Sequence, residues 1–188
     1  STNNVIPWKD FSVGAKEKVQ FDNGQKTNNY LNVVTGANTS HIAGTVEGGK
    51  NVYIVNQHGV IIDKDATVNV GNLYVSTKPV NDAMKTAFTS GKEASAVLSA
   101  ATDAAVSDVV NLGTIQAANV QVEGKNIRFL NSANVKTTDG AVNTAVTLNA
   151  ASGGYVHVGN RTGEEANYSS SGTIDYYQLV GDETALQD

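Results

Sequence analysis

The reactive side chains of this 188-residue sequence are few: three histidines, two arginines and no cysteine. His41 and His58 precede Asp63 and Asp65, and two imidazoles with two carboxylates would suit a transition-metal ion. Their spacing follows no standard ligand motif, and Asp63-Lys64-Asp65 reads better as a solvated turn. Without cysteine there is no thiolate ligand, thiol nucleophile or disulfide framework. Polysaccharide cleavage would need paired carboxylates, or carboxylates beside a cation, on one face. Asp139, Asp175 and Asp182 fall in different segments, and neither Arg128 nor Arg161 has an aspartate at a matching position. No catalytic residue, metal ligand or cofactor is assigned. Tyr155, Tyr168, Tyr176 and Tyr177 could stack on sugar rings in a glycan-binding module, although packing at a C-terminal end explains them equally well. Asn38, Asn160 and Asn167 begin Asn-x-Ser/Thr sequons, acceptors for glycosylation in an exported protein.

Whatever these residues do, short strands must position them. Val (25 residues), Asn (21), Ala (21), Gly (18) and Thr (18) dominate, and charged residues are only 16%. Val and Thr fit a pleated surface, while Gly and Asn tolerate the left-handed backbone of turns. Apolar alternations recur at Thr45-Val46, Val52–Val55, Val60–Ile62, Thr67–Val70 and Leu73–Val75, and again from Thr114 to Val158. A last strand pair is expected from Thr173-Ile174 to Tyr176–Val180. Gly44-Thr45-Val46 matches Gly113-Thr114-Ile115, and Glu47–Val55 resembles Glu123–Leu130. Three such strands with their turns take roughly 20 residues, the size of one solenoid coil. The pattern predicts an all-β chain, a parallel β-helix of stacked coils in a single domain over 1–188. A net charge of −5 with two arginines gives no footprint for nucleic acid. No apolar run is long enough to span a membrane as a helix. The sole methionine is Met84, so either a leader has been removed or the chain begins within a longer protein.

The strand rhythm breaks once. Residues 82–89 read as a short helix and 91–110 as a longer one, with Ser90 and Glu93 as a capping box. This helical insertion at about 82–110 is expected to lie on the flank of the stack. A solenoid needs its ends closed. Residues 5–21 hold the only Trp and two of the four Phe, and are expected to form the N-terminal cap. Residues 160–188 are expected to be a C-terminal coil or cap.

From Trp8 to Thr77 the sequence resembles the N-terminal secretion domain of two-partner (type Vb) exoproteins, the filamentous-haemagglutinin-like family. Trp8 and Phe11 with Val19-Gln20-Phe21 look like that family's opening strands. Leu31-Asn32-Val33-Val34-Thr35-Gly36 resembles its Leu-Asn-Arg-Val-Thr-Gly segment, and Ser40–Val46 the strand that follows. Val52–Val60 is similar to its Val-x-Leu-Ile-Asn-Pro-Asn-Gly-Ile block, and Ala66–Thr77 to its Ala-x-Val-Asn-Val-Gly run. Val110–Ile115 resembles a further coil. The sequence departs at Val33, where the family has Arg, at Gln57-His58, where it has Pro-Asn, and over 82–110, where it has a shorter segment.

The resemblance implies a right-handed parallel β-helix with N-terminal cap strands and no catalytic function. It implies passage through the periplasm of a Gram-negative-type bacterium to the cell surface or medium. It also implies recognition by the periplasmic domains of an outer-membrane pore-forming transporter, and folding outside the cell that templates a longer adhesin or toxin. A host glycan or receptor would be a partner of the full-length exoprotein. The candidate recognition residues are Asn32, Val33, Thr35 and Gly36, with Asn56, Gln57, His58 and Gly59. A structural role stands beside this one: Gly59 supplies a left-handed position and Asn56 bonds backbone groups of its turn.

Overall fold

A segment such as Thr45-Val46-Glu47 buries one aliphatic side chain and presents two polar ones. It is too short for a hairpin, but pairs along its whole length with an equivalent segment one coil above. The structure, a computed structural model, describes residues 1–130, 134–136, 145–159 and 173–175, and every strand but the last pairs in this parallel, coil-on-coil way.

The first coil consists of β1 (Asn3–Trp8), the bridging residue Val13 and β2 (Lys18–Gln20). The second is β3 (Asn29–Val34), β4 (Ser40–Ile42) and β5 (Thr45–Glu47). The third is β6 (Asn51–Val55), β7 (Val60–Ile62) and β8 (Thr67–Asn69). The fourth starts with β9 (Asn72–Ser76), detours through helices α1 (Asp82–Thr89) and α2 (Ala94–Ala100), and resumes with β10 (Val109–Asn111) and β11 (Thr114–Gln116). The fifth is β12 (Asn119–Gly124), β13 (Ile127–Phe129) and β14 (Asn134–Lys136). The sixth supplies β15 (Ala145–Ala150) and β16 (Val156–Val158). β17 (Thr173–Asp175) then pairs antiparallel with β15. The strands form three sheets of seven, five and five, and every other pairing is parallel. The fold is the expected parallel β-helix.

Inside the coils, Ile54, Val75, Val122 and Leu148 sit one above another in register. Burying each such side chain contributes about 1.5–3 kcal/mol. Residues 5–21 do carry the aromatics that fill the N-terminal end, but as part of a full coil that lends a strand or bridge to each sheet. Trp8 meets Phe11 edge-on at 5.0 Å, and Phe21 stacks on Tyr30 at 4.5 Å. The link to the second coil turns through Asp22 (φ 56°) and Asn23 (φ 51°). The Asp22 carboxylate accepts bonds from the Thr27 and Asn28 amides, the Asn28 side chain and the Tyr30 hydroxyl. Burial pushes its pKa up, but these bonds outweigh burial and hold it below the usual aspartate value.

The outer face of the seven-stranded sheet carries two further features. At the strand starts, Asn3, Asn29, Asn51, Asn72 and Asn119 form a ladder. Each amide from Asn29 onward donates to the carboxamide oxygen of the coil before it, at 2.7, 2.8, 2.9 and 2.8 Å. Beside the ladder, Leu31, Val33, Tyr53, Val55 and Tyr74 form a second apolar cluster, closed by Met84, Phe88, Val97, Leu98 and Ala101 of the insertion. The insertion therefore lies on the flank of the stack as expected. α1 matches its expected span, capped by the Asn81 side chain on the Met84 amide (2.9 Å). The second helix is corrected: it covers Ala94–Ala100, not 91–110. Glu93, rather than Ser90, is its N-cap residue, and its side chain makes no capping bond. The expected repeat of Glu47–Val55 in Glu123–Leu130 is also corrected. Asn51 stands in register with Asn72 and so with Asn119, while Ile127 belongs to another sheet. Tyr168, Tyr176, Tyr177, Arg161, Asp139, Asp182 and the sequons at Asn160 and Asn167 lie outside the described residues. So does 160–188 as a coil or cap, apart from 173–175.

Candidate functional site

The two candidate segments are about one coil apart in sequence, so the stacking brings them together. Both occupy the corner where the chain leaves the seven-stranded sheet for the sheet of β4, β7 and β10. Thr35 and Gly36 follow β3, and Asn56–Gly59 join β6 to β7. In the fourth coil the same corner emits the helical insertion, between β9 and β10.

Side-chain direction divides the candidates. Asn32 is fully buried inside the coil, because period-2 alternation turns it inward between outward-facing Leu31 and Val33. Its carboxamide accepts from the Trp8 indole N–H (2.9 Å) and donates to the Tyr53 carbonyl (2.9 Å). Val33 packs under the insertion. Asn56 is also fully buried: its Nδ2 donates to the Asn38 carbonyl (2.9 Å) and Ser40 Oγ (3.0 Å), and its Oδ1 accepts from the His58 amide (2.9 Å). Gly59 holds φ at +103°, and a β-carbon there would lie 3.1 Å from the Asp108 carbonyl. Thr35, Gln57 and His58 face solvent, with Gly36 partly so.

Hydrogen bonds fasten successive turns of this corner. Thr39 Oγ1 donates to the His58 carbonyl (2.6 Å), and Ser107 Oγ donates to the Gln57 carbonyl (2.6 Å). The insertion's base is clamped where Thr77 Oγ1 donates to the Ser107 carbonyl (2.7 Å). Lys78 and Glu123, with side chains 19% and 12% exposed, pair there at 3.0 Å. Glu123 also accepts from Ser76 Oγ (3.0 Å), and Lys78 reaches the Leu98 carbonyl (3.2 Å). Sequence reasoning missed Asn38, Ser40 and Ser107 because each satisfies a neighbouring coil rather than its own, and Thr77 because its partner Ser107 lies 30 residues away across the insertion. The signal available was the small polar residue just after β3, β6 and β9, namely Thr35, Asn56 and Thr77.

His41 and His58 are not brought together around a metal. His41 Nε2 meets Asp63 Oδ2 at 2.7 Å, and no group of three or more metal-ligating side chains gathers among the described residues. Asn38 is exposed, its amide donating to Asp10 Oδ1 (2.9 Å). No helix is long and apolar enough to cross a membrane among the described residues.

A family model described as the TPS secretion domain matches residues 1–184. The chain is 37% identical over 73 residues to the heme/hemopexin-binding protein of Haemophilus influenzae, covering 39% of this chain and 8% of that protein. It is 33% identical over 132 residues to the 16S rRNA endonuclease CdiA of Enterobacter cloacae subsp. cloacae, covering 63% of this chain and 4% of that one. The chain thus spans less than a tenth of either relative. The crystal structure of the HMW1 secretion domain from Haemophilus influenzae superposes with a TM-score of 0.55 at 20% identity, covering 91% of this chain and 43% of that chain.

Proposed function

The chain belongs to the TPS secretion-domain family, a domain of secreted exoproteins rather than an enzyme family, and on that premise we propose how it serves export. The corner built from Thr35-Gly36 and Gln57-His58 is the surface read by the periplasmic domains of an outer-membrane pore-forming transporter. Asn32, Val33, Asn56 and Gly59 act one step behind it, by fixing the backbone that presents those residues. The observation that carries this reading is the convergence of both family-like segments on one corner, with their buried members bonded to the neighbouring coil. β1 is the first strand of its sheet, so strand addition at that edge supplies a second, sequence-tolerant contact. Once outside the cell, β14 and β16, the last strands of their two sheets, serve as a template for the polypeptide that follows. The passenger is an adhesin or a toxin, delivered to the cell surface or the medium.

The test is a binding titration between the 188-residue chain and the periplasmic domains of its outer-membrane transporter. Replacing Gln57 and His58 together by Ala should weaken binding by about tenfold while thermal stability holds, as expected for exposed positions. Unchanged affinity would reject the corner as the recognition surface. Asn32→Ala should instead lower stability, because it strands the Trp8 indole N–H inside the coil.

A further inference from the structure

The opposite margin of the seven-stranded sheet's outer face holds a cleft of about 240 Å³, between the asparagine ladder and the turn joining α1 to α2. Its walls carry hydrogen-bonding capacity that the fold leaves unused. A carboxamide has two N–H donors and two oxygen lone pairs. Asn29 uses one donor on Asn3 (2.7 Å) and one lone pair on Asn51 (2.8 Å), which leaves one of each. Asn51 uses both lone pairs, on Asn72 (2.9 Å) and the Tyr74 hydroxyl (3.4 Å), which leaves one N–H. Tyr53 lines the same cleft at 3% exposure, and its hydroxyl has no hydrogen-bond partner among the described residues. The ring is buried and the hydroxyl opens on the cleft, where it is free to bond a ligand. Lys50 and Lys92 stand at the rim, and neither ammonium is paired among the described residues. The Glu93 carboxylate is the only acidic group on the lining.

Donors therefore outnumber acceptors, and cations outnumber anions. The volume falls below the roughly 300 Å³ at which pockets for drug-sized ligands begin, so it suits one ring rather than a nucleotide. We propose that this cleft binds a single carboxylated pyranose, a hexuronic or sialic acid residue. Its carboxylate sits between Lys50 and Lys92. Its hydroxyls accept from the spare amide N–H groups of Asn29 and Asn51, and one bonds the Tyr53 hydroxyl. The site is separate from the corner assigned to transporter recognition and does not rest on that reading.

The test is an amide-resonance titration of the 188-residue chain with D-glucuronate, N-acetylneuraminate, D-glucose and inorganic phosphate. At least one acidic sugar should bind in the millimolar range, with shifts centred on Asn29, Asn51 and Lys92. Glucose and phosphate should each bind about tenfold more weakly. Which acid binds separates the two sources. Tyr53→Phe keeps the ring and removes only the hydroxyl; it and Lys92→Gln should each weaken binding about tenfold with an unchanged melting temperature. Absence of cleft shifts with either acid at tens of millimolar, equal binding of glucose or phosphate, or variants that bind like the parent would overturn the proposal. Transporter binding should be the same in Tyr53→Phe, so the two readings fail independently.

Discussion

The outer face of the seven-stranded sheet changes character partway up the stack, whereas its inner face does not. In one outward column the residues run Leu31, Tyr53, Tyr74 and then Gln121 and Thr147; in the next, Val33, Val55, Ser76, then Glu123 and Asn149. The apolar members lie packed under α1 and α2, while the polar ones of coils five and six border a cleft whose other wall is Ser95, Leu98 and Ser99 of α2. The inward columns stay aliphatic from Val52 through Leu73 and Val120 to Val146. Coil stacking alone thus dictates the inner residues, while the outer ones answer to whatever lies across them. Among the described residues, the helices bury the outer face of the first four coils and only border that of the last two.

The sharpest way to break this comparison is Phe88→Ala. Phe88 packs edge-on against Tyr53 at 5.4 Å, so if the covered face is core its loss should cost about 3–5 kcal/mol in chemical denaturation. Gln121→Ala, in the column of Tyr53 and Tyr74 but beyond the apolar cluster, should change stability by no more than about 0.5 kcal/mol. Comparable losses at both would erase the distinction. Gly59→Val tests the corner beneath the insertion. A left-handed φ and the nearby Asp108 carbonyl predict a loss of about 1–3 kcal/mol, read as a lowered melting temperature. Asn72→Ala breaks two ladder bonds and Asn119→Ala one. At about 1 kcal/mol per bond, the first should cost roughly twice the second. The smallest effect lies at the N-terminal end. Asp22 has a folded pKa below its unfolded value, so its contribution is present above about pH 4 and is lost as pH falls through the folded pKa. Asp22→Asn should flatten the acid limb of the stability profile below that pH and lower stability at neutrality.

Strand positions were legible because each needs only its own β-branched residues, and α1 was legible because Asn81 caps it locally. The errors came where a distant coil decides. The alanine-rich run beyond residue 100 has helical letters, yet Val109 is claimed by Val60 and Ile127 on either side of it. Gly91, at φ +78°, separates Ser90 from the helix it was expected to cap. The letters of Lys50-Asn51 recur at Lys125-Asn126, but a solenoid is aligned by which sheet a strand joins, and that is a property of the wound chain. At the candidate site, Asn56 and Gly59 behaved as their types suggest. The inward direction of Asn32 was not legible, because alternation alone turns Leu31 and Val33 inward and only the covering helices reverse the faces; its bond to Trp8 spans 24 positions that no local pattern links.

The in-register parallel stack also works as a winch. One coil of roughly 20 residues is some 65–70 Å of extended chain, yet it adds only about 4.8 Å to the axis. Any process that delivers this polypeptide N-terminus first is therefore reeled in from the far side at a ratio above about ten to one. The asparagine ladder and the buried columns act as the pawl, since slipping back by one coil requires a whole rung of bonds to open at once.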